Sequence, residues 1–275
     1  MVSSLKNLLI RRFLNSSEIP KIQRSAWCLS TGRVGSQTIA ALGALSEGIT
    51  SRHEPEPKLY GLGGMTYSTG GEKGLSKGEL AIAKEAVLEA RPFQYEESGS
   101  VYLESSPQVT FLAPVLESAF SKSSFIHLFR HPNDVIRSGM RRNWYAGHQY
   151  DQWRISPSGS LGQGEWERYS QFEKIAWLWA ETNRWIIDFM DQLESGRGLS
   201  LKSEDVFNNE GDSLARFYAF LEADLPSERE LEKVLGSKLN QQKSGDFAQP
   251  DEWNPHQKEI VEKHCGALMS TLGYE

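Results

Sequence analysis

Short apolar runs alternate along the chain with longer stretches of helical period, an order that predicts parallel strands joined by crossover helices. Ser25-Ala26-Trp27-Cys28-Leu29-Ser30 reads as a first strand, followed by a turn over Thr31 to Ser36 and a helix over Thr38 to Leu45. A second strand is expected over about Ala44 to Thr50, a third over Ser100 to Glu104 and a fourth over Phe125 to Phe129. Ala81 to Ala90 has helical periodicity, and Pro132 stands where a first helical turn tolerates proline. Trp177, Trp185, Ile186, Phe189 and Met190 keep helical spacing within Phe172 to Leu193, and Leu199 to Leu201 reads as a last strand. Helices are expected at Leu214 to Leu221, Glu228 to Leu235 and about His256 to Leu272. The class is α/β, with a central parallel sheet flanked by helices.

Two segments do not fit this pattern: the glycine-rich stretch from Tyr60 to Gly78, and Arg142 to Glu165, rich in Gly, Ser and aromatics. Long structureless connections in compact domains are usually functional, so both are expected as loop insertions over a site, at about 60–78 and 142–165. They interrupt what reads as one α/β domain over residues 24–275, preceded by a surface segment over 1–23.

Composition narrows the function. The formal net charge of −6 leaves no global basic field for a polyanion, which argues against nucleic acid, so any anion must be met locally. The 2 cysteines, Cys28 and Cys265, lie far apart and build neither a disulfide framework nor a zinc ladder, which fits a reducing compartment. At the start, Leu8, Leu9 and Ile10 are cut short by Arg11 and Arg12, too short a run for a bilayer span. The expectation is a cytoplasmic protein whose basic amphipathic start is a surface helix or docks weakly on a membrane.

The chemistry gathers in two turns. Thr31-Gly32-Arg33-Val34-Gly35-Ser36-Gln37-Thr38 lies between a strand and a helix, where successive backbone N–H groups and the helix N-terminus form an anion site. The triphosphatase pattern GxxxxGK[ST] is absent, since no lysine precedes Ser36 and Arg33 is the turn's cation. Arginine there suits a bidentate grip on phosphate-like oxygens. In Phe129-Arg130-His131-Pro132-Asn133-Asp134-Val135-Ile136-Arg137-Ser138, Arg130 leaves a strand at the sheet edge where ligands collect, and Ser138 follows about two helical turns later. Together they read as a clamp for an isolated phosphate. Arg137, Arg141 and Arg142 add local positive charge and read as a solvated helix face, His127 as an interior residue and Trp177 and Trp185 as core.

The pairing of STGRVGSQT with FRHPNDVIRSGMRR resembles the two cofactor signatures of sulfotransferases that use 3'-phosphoadenosine 5'-phosphosulfate (PAPS). Trp177 to Asn183, Leu201 to Val206 and the terminal Leu272-Gly273-Tyr274 resemble bacterial and carbohydrate-type members, so the likeness spans about residues 24 to 275. It implies a P-loop-like three-layer fold, PAPS as donor with the product 3'-phosphoadenosine 5'-phosphate (PAP), no metal in the chemistry, and an acceptor hydroxyl on a carbohydrate, a lipid or a small metabolite. It places the 5'-phosphosulfate on Thr31 to Thr38 and the 3'-phosphate on Arg130 and Ser138. Lys243, in the polar run Lys238 to Gly245, falls where members fold a late loop over the adenosine and so within reach of a phosphate; the run also reads as a solvated loop.

The departures matter as well. Arg33 must do the work of the family's lysine, and Tyr102 to Pro107 lacks the histidine that serves as base in the small-phenol enzymes. Ser51-Arg52-His53-Glu54-Pro55 is similar in position to the glutamate of carbohydrate and tyrosyl-protein sulfotransferases, which makes Glu54 the first candidate base, His53 the second and Glu104 the third. The same cluster also reads as surface ion pairing with Arg52 and Lys58. Two other functions remain open at this point: a P-loop kinase, which would want the missing Lys-Ser/Thr dipeptide, and a nucleotide-binding protein without turnover. Trp144, Tyr145, His148, Tyr150 and Trp153 are candidates to receive the acceptor's planar or sugar-like groups.

Overall fold

The computed structural model describes residues 24–70, 75–91, 101–120, 122–157, 163–237 and 245–274; the 1–23 segment and Lys243 lie outside them. Five parallel strands form one sheet in the order β2-β3-β1-β4-β5: β1 Arg24–Leu29, β2 Ile49–His53, β3 Val101–Ser105, β4 Ser123–Phe129 and β5 Gly198–Lys202. The central strands are apolar on both faces because both faces are covered. Trp27 and Leu29 of β1 pack on one side with Tyr102, Phe125 and helix α3 (Lys77–Ala90). Ala26 and Cys28 pack on the other with Ile126 and helices α1 (Ser36–Gly43) and α5 (Pro132–Met140). That second layer also holds α7 (Gln171–Met190) and α11 (Pro255–Thr271). The expected three-layer α/β architecture is what the chain adopts.

The sheet order sets the site. Chain leaving β1 runs through α1 to edge strand β2, whereas β4 returns on the opposite side of β1, and ligands gather outside the carboxyl ends of strands at such a reversal. In register, Cys28, Ser105 and His53 stand level, and Leu29 stands opposite His127. The chain just past β1, β2, β3 and β4 therefore emerges along a common edge.

Three sequence expectations change. The second strand is Ile49–His53 rather than 44–50, because residues 44–46 instead close α1 through Ala44 N–H to Ala40, Leu45 N–H to Leu42 and Ser46 N–H to Gly43. The stretch from Tyr60 is no loop: Tyr60–Gly70 is helix α2, and α3 begins at Lys77 behind a Ser76–Glu79 capping box. Its glycines let backbones meet. A Cβ on Gly63 would stand 2.8 Å from the Gln108 carbonyl oxygen, and one on Gly64 would stand 2.8 Å from that of Trp153. Tertiary packing thus overrides low helix propensity. Helix α4 (Ala113–Ala119), with the 3-10 segment Pro107–Leu112 before it, was not expected either. The described part of 142–165 is mostly irregular, as expected, with a 3-10 turn at Asp151–Trp153 and the short helix α6 starting at Gln163. Three more helices lie among the described residues, α8 (Ser203–Asn208), α9 (Ser213–Phe220) and α10 (Glu228–Leu235). Among the described residues no helix is long and apolar enough to cross a membrane.

Candidate functional site

The loop after β1 is wound left-handed. Gly32 (φ 81°), Arg33 (φ 61°) and Gly35 (φ 92°) all have positive φ, and a Cβ on Gly35 would run to 2.2 Å from the Phe207 ring. Such a backbone costs a non-glycine residue free energy, so Arg33 holds it only because the surroundings enforce it. They do so from two sides. Ser30 N–H donates to Thr110 Oγ1 (2.9 Å), whose hydroxyl returns a bond to the Ser30 carbonyl, and Ser203 Oγ donates to the Val34 carbonyl (2.5 Å). Gly35 caps α1 without any side-chain bond, which leaves its first N–H groups at the loop.

The turn after β4 meets this loop. Ser138 Oγ accepts from Arg33 Nε at 3.0 Å, across 105 residues of chain. Arg130 does not share a partner with Ser138: its guanidinium pairs with Asp134 at 2.8 Å, and its carbonyl accepts from Trp179 Nε1. Glu204 holds the same turn through His131 N–H (2.9 Å) and the Tyr274 hydroxyl (3.0 Å), which gives the terminal Leu-Gly-Tyr a structural role. Burial first, then the charges of Arg142 and Arg130, bring the Arg33 guanidinium down to about 10, with Glu54 opposing. Arg33 and Arg130 therefore share one positive region.

Beyond the loop lies a cleft of about 260 Å³, lined on the loop side by Thr31, Gly32, Arg33 and Ser36. Val34, Gly35, Gln37 and Thr38 shape the loop without lining the cleft; Val34 and Thr38 are buried. His53 and Glu54 line the same cleft as Arg33. Glu54 turns off the sheet edge at φ 42°, its N–H reaching the Ser105 carbonyl at 3.4 Å. His53 Nδ1 lies 2.8 Å from that same carbonyl, which can only accept, so Nδ1 carries a proton and the neutral ring keeps its lone pair on Nε2. Nε2 lies 3.9 Å from one Glu54 oxygen, and Lys58 Nζ lies 3.9 Å from the other. Glu104 is elsewhere. Fully buried, it is gripped by Arg91 (2.5 and 3.0 Å) and the Tyr102 hydroxyl (2.9 Å), so it has no path to an acceptor.

Asp151 organises the loop that supplies Trp144, His148, Tyr150, Trp153 and Arg154 to the cleft. Its carboxylate accepts from the N–H groups of Tyr145 (3.0 Å), Gly147 (3.0 Å) and His148 (2.8 Å) and from Arg154 Nε (3.1 Å). Burial alone would raise its pKa; the Tyr145 N–H, Arg154 and the Gly147 N–H together hold it below the ordinary range. Arg154 in turn lies 4.3 Å from the Trp144 ring centre. Trp144, His148, Tyr150 and Trp153 line the cleft, and Tyr150 stacks on Tyr60 at 4.4 Å. Tyr145 instead braces the loop, its hydroxyl donating to the Ile155 carbonyl. Burial, then the charge of Glu54, keeps the Tyr60 phenol above its ordinary range, hence protonated.

Among the lining residues that sequence reasoning did not single out are Gln108, Thr182 and Arg154, and Arg142 was read as a solvated face. Arg142 carried a signal, standing four residues after Ser138 and so about one helical turn on. It is no solvated face: it lines the cleft, while Arg141 Nε turns away to the Gly245 carbonyl (2.8 Å). His127 is interior as expected, as is Trp177.

Neither a family model nor a curated protein sequence matches the chain. Solved structures do. The sulfotransferase domain from the curacin biosynthetic pathway aligns over 94% of this chain and 99% of its own, at 18% identity and a TM-score of 0.55. The fold is that of the sulfotransferases. The sulfotransferase domain from the Synechococcus PCC 7002 olefin synthase aligns over 94% of this chain and 97% of its own, at 18% identity and TM-score 0.52. Sulfotransferase STF9 from Mycobacterium avium aligns over 98% and 81%, at 13% identity and TM-score 0.55. At these identities the likeness to sulfotransferases is one of architecture, and the chemistry must be argued from the side chains.

Proposed function

We propose that this protein is a PAPS-dependent sulfotransferase acting on a hydroxyl of a small molecule or glycan. The observation that carries the reading is the bond from Arg33 to Ser138, which joins two turns suited to opposite ends of one doubly charged nucleotide. The donor site fits on three grounds: an uncapped helix start, a glycine-opened backbone and a guanidinium fixed in plane by a neutral hydroxyl.

When bound, PAPS supplies an activated sulfuryl group bridged to its 5'-phosphate. Arg33 and the N–H groups of the loop meet the negative charge that gathers on that phosphate as its bond to sulfur breaks. Arg130 and Ser138 hold the remote phosphate, whose binding energy orients the reacting end. Glu54 takes the proton of the acceptor hydroxyl while its oxygen bonds to sulfur, and Lys58 steadies the carboxylate from behind. His53, with Nε2 directed toward Glu54, is the nearest group able to relay that proton. The aromatic wall of Trp144, Tyr150 and Trp153 receives the body of the acceptor.

Calorimetry with PAP, and separately with ATP and Mg²⁺, tests the reading. The expected result is binding of PAP in preference to ATP; preference for ATP would mean a kinase, and binding of neither would remove the nucleotide site altogether.

A further inference from the structure

We propose that Arg142 is a second guanidinium on the transferring sulfuryl group, working beside Arg33; the inference rests on the donor reading above. Its position comes from the helix that supplies Ser138. Four residues after Ser138, at the turn that ends α5, Arg142 returns to the side on which Ser138 grips Arg33. The turn is stiff. Arg142 N–H and Trp144 N–H both bond the Gly139 carbonyl (3.0 and 3.1 Å), and a Cβ on Gly139 would stand 2.8 Å from the Trp144 ring.

The neighbouring cations are engaged otherwise. Arg130 pairs with Asp134, Arg154 pairs with Asp151, and Arg141 turns to Gly245. Arg142 has no such carboxylate on it among the described ion pairs, and its buried Nε has no hydrogen-bond partner among the described residues. It lines the same cleft as Arg33 and Glu54. Arg142 and then Arg130 are the leading like charges that act on Arg33, and of these two Arg142 lines the cleft with it. Repulsion of that kind persists at sites that receive an anion. The group fitting between Arg33, at the leaving phosphate, and Glu54, at the acceptor oxygen, is the sulfuryl group itself. Its oxygens carry charge as the S–O bond to phosphate breaks and the bond to the acceptor forms, and a planar fork of donors suits them.

The test is equilibrium binding, without acceptor, of PAP and of PAPS to the full chain and to Arg142→Ala and Arg142→Lys. PAP lacks the sulfuryl group. For Arg142→Ala the expected result is PAP affinity within about threefold of the parent and PAPS affinity lower by roughly 10- to 150-fold, with partial recovery in Arg142→Lys. Equal shifts for PAP and PAPS, or no shift for either, would overturn the proposal. The second pattern is also what an arginine reserved for an acceptor carboxylate would give. If the parent binds neither nucleotide, the donor reading itself fails, which is a different outcome from loss of discrimination. Melting temperatures of both variants, read alongside, separate misfolding from lost recognition.

Discussion

Arg33 Nε donates to Ser138 Oγ at 3.0 Å, so the loop after β1, which lines the cleft, is tied to the turn and helix after β4, whose Arg130 and Ser138 do not line it. The bond fixes the plane of a cation that sits in a strained backbone, where a floppy side chain would waste the cost of the turn. Ser138→Ala should therefore weaken PAP binding by about tenfold, within the range for a lost hydrogen bond to a charged group, and Ser138→Thr should stay within about threefold. Titration calorimetry reads both. Equal affinity in the alanine variant would mean that the two turns act independently.

Glu54→Gln keeps the shape of the side chain and removes its basicity. PAP should still bind within about threefold, while turnover with any accepted hydroxyl falls by about 10²–10⁴-fold. Steady-state rates with labelled PAPS measure it. Unchanged turnover would transfer the role to His53, whose Nε2 lone pair is 3.9 Å away.

His127 gives a pH signature that is separate from catalysis. It is fully buried in β4, its Nε2 donating to Asn183 Oδ1 at 2.8 Å, and burial pushes the imidazole from 6.5 down to about 4. Between those values the unfolded chain binds a proton that the folded chain refuses, so stability falls as the pH drops from 6.5 toward 4 and is unaffected by this group above 6.5. The slope contributed is up to about 1.4 kcal/mol per pH unit. Urea unfolding at a series of pH values should show that slope in the parent and a flatter one in His127→Gln; identical slopes would show that the ring charges freely.

How much of this was legible in the chain follows from what each residue contacts. Strands β1, β3 and β4 are covered on both faces and so carry runs of apolar residues that stand out from any neighbour. The placement of Arg33 and Arg130 past strand ends, and of Ser138 in the helix that follows, was readable because a strand end followed by a helix start is a local pattern. The partner of Arg130 was not, since Asp134 and Ser138 lie on the same helix and only the packing chooses between them. Helix α2 was hidden by glycines whose reason is a distant carbonyl. Asp151 was invisible for a related cause: three of its four partners are backbone N–H groups, which every residue but proline offers. Glu104 looked like a base until Arg91, 13 residues earlier, was seen to claim it.

The backbone contacts of Gly63 and Gly64 also bear on how acceptor choice could change. Where two main chains touch directly, no side chain is left to trim, so the gap between α2 and the wall opposite cannot be enlarged by small substitutions on that seam. Diversification of the pocket would have to proceed through the rings that line it, Tyr60, Tyr150 and Trp153, while the spacing set by that seam stays inherited.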